Sequence, residues 1–168
     1  MLTIDQLDAK LIGLLTTDAR AGIVELAATL GVTRNTVQSR IKRLEDTGLI
    51  RSFRPELNLA LAGIDVQAFL ALELELEQGY LSSVVAALRD IPEVLEIHAT
   101  TGREDLLVRV ATQDHASLQE LIEKVLGIVG VWHSSTTVAL TTPLPYRTQP
   151  LLQAITSDAG WGRSTPRA

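Results

Sequence analysis

The run Leu26-Ala27-Ala28-Thr29-Leu30-Gly31-Val32-Thr33, followed by Val37, constrains this chain more than any other feature. Two helices joined by so short a turn have to cross closely. Ala27 is small enough to let them touch, and Gly31 supplies a left-handed turn that needs no Cβ. Val32 and Val37 plug the gap beneath that turn. A large residue at Ala27 would cost roughly 1–3 kcal/mol through overpacking. The pattern predicts a short helix over 23–30 and another, capped by Thr33, running to about Thr47 and stopped by Gly48. Val37, Ile41 and Leu44 form the buried stripe of that helix. An earlier helix over 5–17 carries Leu7, Leu11, Ile12, Leu14 and Leu15 at helical spacing, with Asp5 or Thr3 as N-cap. Leu49–Phe53 reads as a short strand, which makes the unit a winged helix-turn-helix.

The outward positions of the third helix are chemically selective. Arg34, Asn35 and Gln38 are side chains able to pair with base edges in the major groove of double-stranded DNA. Thr33, Thr36, Ser39, Lys42, Arg43 and Arg51 suit phosphates, with Ser39 also a candidate for base edges. Arg40, three residues after Val37, fits packing or phosphate better than base reading. The alternative is a three-helix bundle with a merely solvated basic face. Net charge is −5, which argues against a nucleic-acid partner for the chain as a whole. The distribution argues otherwise, because residues 1–54 carry +2 and residues 55–168 carry −7. Within 34–54, six basic residues face only Glu45 and Asp46. That places a local basic patch on one part of an acidic molecule.

From residue 65 the hydrophobic period changes from helical to two. Val66, Ala68, Leu70, Leu72, Leu74 and Leu76 share one strand face, with Glu73, Glu75 and Glu77 on the other. A helix over 80–90 follows, with Leu81, Val84, Val85 and Leu88 inward. Strands over 94–101 and 106–111 flank a turn at Gly102–Asp105. A helix over 117–128 carries Leu118, Leu121, Ile122, Val125 and Leu126, and a last strand covers 131–140. The order β-α-β-β-α-β is ferredoxin-like, an α+β arrangement with both helices on one sheet face. The uncovered face would hold Phe69, Ala71, Leu107 and either Trp132 or Val131, and such a face usually meets a second copy of itself. The expected organisation is a DNA-binding domain over 1–54, a linker over 55–64, the ferredoxin-like domain over 65–142, and an extended tail over 143–168.

The segment from Leu26 to Ile50 resembles the Lrp/AsnC (leucine-responsive/asparagine-responsive) regulators, as does the opening Leu7-Asp8 … Leu11-Ile12 … Leu14-Leu15 … Asp18-Ala19-Arg20. Thr101-Gly102 with Asp105, Thr136–Leu140 and Pro143–Thr148 are similar to that family's effector-sensing RAM domain, a dimeric α+β barrel type. The resemblance covers about residues 3–150. It implies a cytoplasmic transcriptional regulator, a homodimer built through the sheets and commonly an octamer. It also implies a small effector, often an amino acid, bound near the glycine turn.

Read from chemistry alone, backbone amides around Gly102 suit a carboxylate and Asp105 an ammonium. Thr100, Thr101, Ser134 and Thr136 offer hydroxyls. The competing reading is that Gly102 makes a tight turn and Asp105 caps it. Where the family often carries an aromatic residue before this aspartate, the chain has Glu104, which adds negative charge where an α-carboxylate would sit. No cofactor and no metal are expected, since His98, His115 and His133 have no ligand spacing. No cysteine is present and no phosphate-binding glycine loop or nucleophile elbow appears, so an enzyme is not expected. The longest apolar runs are too short to span a bilayer, and the start lacks a basic-then-apolar leader. The runner-up function is an architectural DNA-binding protein with little sequence preference and no effector.

Overall fold

The computed structural model describes residues 2–75 and 80–162. The chain forms two compact units, Met1–Glu56 with Pro145–Ala168, and Leu57–Leu144.

The first unit begins with α1 (Gln6–Thr17), whose start is closed by a capping box between Asp5 and Asp8. Each aspartate side chain accepts the other's backbone N–H, so two otherwise orphaned donors are met. Helix α2 (Ile23–Leu30) ends at Gly31 in the left-handed conformation, φ 66°. Helix α3 (Arg34–Asp46) starts at Thr33, whose side chain accepts the Thr36 N–H. Leu7, Leu11, Leu15, Leu26, Ala27, Leu30, Val37 and Leu44 form the core.

Two expectations for this unit are corrected. Leu49–Phe53 is not a strand. The Ile50 N–H instead donates to the Leu44 carbonyl, which ties the segment to the end of α3. Among the described residues no second segment pairs with it, and a strand needs a ladder. The tail is not simply extended either, because Gln149–Ile155 is a helix, α6. Pro150 lies in its first turn, where the missing N–H costs nothing.

The second unit opens on a 3₁₀ turn (Leu59–Ala62) and continues β1 (Val66–Leu74), α4 (Tyr80–Arg89), β2 (Val94–Ala99), β3 (Leu106–Thr112), α5 (His115–Leu126) and β4 (Val131–Ala139). The sheet is antiparallel with order β2-β3-β1-β4, the ferredoxin-like order. The alternation behind β1 is visible in its burial. Ala68, Leu70 and Leu72 are buried against Val84 and Leu88 of α4 and Leu118, Leu121 and Val125 of α5. Leu81 and Leu126 are exposed rather than inward: Leu81 lies in the first turn of α4, before the buried Val84, and Leu126 stands one position past the buried Val125. Leu76 and Glu77, expected at the end of β1, lie outside the described residues.

Pairing register assigns the uncovered face. Phe69 stands between Arg109 and Thr137, and Ala71 between Leu107 and Ser135. Val131 packs on the helix-side core, so of the two alternatives Trp132 is the exposed one, at 73%. The register of β1 and β4 shifts between Glu73 and Leu74, and this irregularity turns the indole outward.

Candidate functional site

Helix α3 presents two kinds of polar residue. Arg34, Asn35 and Gln38 are exposed. The hydroxyls beside them are tied to the helix itself. Thr33 caps it, Thr36 lies 2.9 Å from the Thr33 hydroxyl, and Ser39 donates to the Thr36 carbonyl. Lys42 pairs one turn along with Asp46 at 3.0 Å, an exposed contact of little energetic consequence. Arg51 is exposed just beyond α3.

Arg40 and Arg43 are engaged within the unit: Arg40 takes the packing role, one of the two expected for it, while Arg43 keeps 38% of its side chain exposed. The Arg40 guanidinium reaches Asp5 at 2.5 Å and Asp8 at 3.0 Å, and its side chain is 14% exposed. Arg43 donates to Asp8 and to the Thr3 carbonyl. Asp8 is fully buried, and its two oxygens serve the two arginines as well as the Asp5 N–H. Burial pushes the Asp5 carboxyl up, but the Asp8 N–H and the Arg40 guanidinium outweigh it and hold Asp5 below its ordinary value. Arg40 is pushed down by burial and raised by Asp5 and Asp8, with a net rise that keeps it charged. Sequence reasoning missed this network. The available signal was Asp8 itself, an acid between Leu7 and Ala9 on the stripe that runs on to Leu11.

The expected effector residues are more dispersed. Thr100, Thr101 and Gly102 are exposed, with Gly102 at φ 129°, where glycine is favoured. Asp105 is engaged by the sheet. Its N–H donates to Leu72 O, and one carboxylate oxygen accepts the Leu74 N–H at 2.7 Å. The Thr100 hydroxyl donates to Glu104 O, and Arg103 pairs with Glu73 at 3.0 Å. Ser134 pairs with Leu72 from the opposite side, so Asp105 and Ser134 stand two strand spacings apart, roughly 10 Å. Thr136 follows on the same face, opposite Leu70. Ser134 Oγ is buried without a hydrogen-bond partner among the described residues.

A cavity of about 560 Å³ lies elsewhere in the same unit, among the 3₁₀ turn, the start of β2, the end of β3 and α5. Leu59, Leu95 and Leu121 supply its apolar lining, and Glu93, Glu120 and Lys124 its charges. None of the six expected effector residues lines it.

An exposed polar helix set on a three-helix core, joined to an α+β sheet domain, defines a helix-turn-helix regulator with a second, non-DNA domain. Residues 4–45 match the AsnC-type helix-turn-helix domain, and residues 67–149 match the Lrp/AsnC ligand binding domain. The chain belongs to the Lrp/AsnC family of transcriptional regulators. It is 30% identical over 149 residues to the HTH-type transcriptional regulator FL11 of Pyrococcus furiosus, covering 86% of this chain and 97% of that one. It is 32% identical to the proline dehydrogenase transcriptional activator of Rhizobium radiobacter, over 82% of this chain and 89% of that one. Among solved structures, E. coli AsnC superimposes with a TM-score of 0.81 at 29% identity, over 89% of this chain and all of that one. A Neisseria meningitidis regulator solved as an L-Met complex shares the fold, with a TM-score of 0.82 at 24% identity over 89% of this chain and 99% of that one.

Proposed function

We propose that this chain is a sequence-specific, homo-oligomeric regulator whose DNA affinity is set by a small effector, an amino acid or a related metabolite. The observation that carries the DNA half is the sorting of α3. Arg34, Asn35 and Gln38 are exposed, while Arg40 and Arg43 are engaged by Asp5 and the buried Asp8. Arg34, Asn35 and Gln38 read bases in this view, and Thr33, Thr36, Ser39, Lys42 and Arg51 meet phosphates.

The oligomer follows from the uncovered sheet face. Phe69 is 37% exposed there beside Ala71 and Leu107, and Arg109 carries a buried Nε with no partner among the described residues. A second copy covering this face would bring two recognition helices to one DNA site, with half-sites about one helical turn apart. The ligand-binding-domain match and the L-Met complex of the Neisseria regulator favour an amino acid as the effector class. The turn at Thr100, Thr101, Gly102 and Asp105, with Ser134 and Thr136, is the proposed effector site. Among the described residues no helix is long and apolar enough to cross a membrane, which accords with action in the cytoplasm.

The test is selection of bound fragments from genomic DNA, repeated with pooled amino acids. One enriched palindrome-like sequence, with occupancy altered by the pool, is the expected result. Enrichment without any shared sequence would favour the architectural alternative instead. Gly102→Asp should abolish the pool's effect and leave DNA binding in place; an unchanged response would move the effector away from this turn.

A further inference from the structure

Both family matches stop short of the last described segment, the second of them at residue 149. That segment is built into the DNA-binding unit. Its Gly160 carbonyl accepts the Gln6 N–H at 2.9 Å, meeting a donor that the first turn of α1 leaves without an intrahelical partner. The Gln6 side-chain amide donates to Ser157 O at 2.6 Å. Trp161 packs against the three-helix core, and Lys10 Nζ lies 4.3 Å from the centre of its ring, a cation–π contact. At the other end of α1, Gln149 lies so close that a Cβ on Gly13 would stand 2.7 Å from its Nε2.

The closest approach is at Gly162, which adopts φ +61°. A Cβ there would stand 2.2 Å from Asp5 Oδ2 and 3.0 Å from Arg40 Nη2. Those are two of the groups that tie the start of α1 to α3, beside Asp8 and Arg43. Contacts from the tail therefore run to the cap of α1 and on to the helix that carries Arg34, Asn35 and Gln38.

We propose that residues 149–162 are a clasp that sets the position of the recognition helix, with Trp161 and Gly162 as positioning residues for DNA binding through Asp5 and Arg40. The proposal rests on the reading of α3 as the recognition helix. A clasp anchored only at the start of α1 would steady the helix bundle without steering α3. The contact at Asp5 and Arg40 is what adds steering. Gly162 is glycine here for two reasons, its backbone conformation and the absence of room for a side chain.

The test uses the full chain carrying Trp161→Ala, Trp161→Phe or Gly162→Ala, at a temperature where circular dichroism shows each one folded. Affinity is measured for a DNA fragment selected by the parent from a random pool and for a scrambled fragment of equal length. Gly162→Ala and Trp161→Ala should lower the selected-to-scrambled ratio by about tenfold, the scale of one misaligned base contact. Trp161→Phe should restore most of it. A ratio unchanged in both folded alanine variants overturns the clasp, because mere packing alters stability without altering discrimination. Arg34→Ala is run beside them to separate the two readings. Should Arg34→Ala leave the ratio unchanged, the recognition-helix reading fails, and amide hydrogen exchange along α3 decides the clasp. Exchange about tenfold faster in α3 in both alanine variants, and normal with Trp161→Phe, supports it, and unchanged exchange overturns it.

Discussion

The two units hold their cores by opposite means. In the sheet unit, buried residues from Val66 to Val125 form one aliphatic cluster among the described residues. In the DNA-binding unit an aliphatic cluster is joined by a buried aspartate, Asp8, gripped by two arginines from a helix more than thirty positions away in sequence. Aliphatic contacts are non-directional and leave an element free to settle by a few degrees. Charged hydrogen bonds fix both distance and angle. In the three-helix unit those bonds include a fully buried carboxylate shared between two arginines. The ion network fixes the geometry of α1 against α3 more than it adds net stability, since buried pairs repay their desolvation only in part.

The largest effect expected from this contrast is on Asp8. Asp8→Ala takes from Arg43 its carboxylate partner and leaves Arg40 with Asp5 alone, and breaking a buried pair in this way costs about 3–5 kcal/mol. Hydrogen exchange resolved by unit should show the loss in α1–α3 and leave the sheet amides unchanged. Equal loss in both units would break the contrast. Next comes Leu70→Ala, which opens a hole between β1 and the two helices and costs about 2–5 kcal/mol. There the sheet amides should exchange faster while α1–α3 keep their protection.

The contrast also explains what was legible in the sequence. Period two in Val66–Leu74 and helical spacing around Leu118–Val125 are local signals, so the sheet unit's order followed directly from them. Gly31, Thr33 and Gly48 likewise carry their conformations in their identity, and each appears where the turn and cap chemistry requires it. The carboxylate partners of Arg40 and Arg43 were not legible. An arginine on an amphipathic helix has the same local signature whether it meets phosphate or a buried carboxylate, and only the position of Asp8 in space separates the two. Pro150 is ambiguous in a similar way, because proline marks an extended segment or a helix start equally well. The wing failed for want of a partner strand, which no property of Leu49–Phe53 itself reveals.

A smaller effect should fall on recognition without touching stability. Arg34→Ala or Gln38→Ala removes an exposed side chain from α3, so thermal unfolding should stay within about 0.5 kcal/mol of the parent. Discrimination between the selected and a mismatched DNA fragment should fall by about 1–3 kcal/mol for a residue that pairs with a base edge. Equal weakening on selected and random DNA would assign that residue to phosphate.

The smallest expected effect is a pH dependence confined to one unit. Asp5 has a lowered pKa in the folded chain, because the Asp8 N–H and Arg40 prefer its charged form strongly enough to overcome burial. A lowered folded value means that the unfolded chain binds the proton more readily. The stability Asp5 contributes is therefore complete above its unfolded value, near 3.8, and drains away as pH falls through the lower folded value. Asp5→Asn keeps a side-chain oxygen for the cap but removes the titrating charge. With Asn at position 5, protection of the α1 and α3 amides should decline less steeply below about pH 4 than in the parent, while the sheet amides follow the same curve in both proteins. Identical slopes for α1 and α3 would show that the acid sensitivity of α3 comes from a charge other than the Asp5–Arg40 pair.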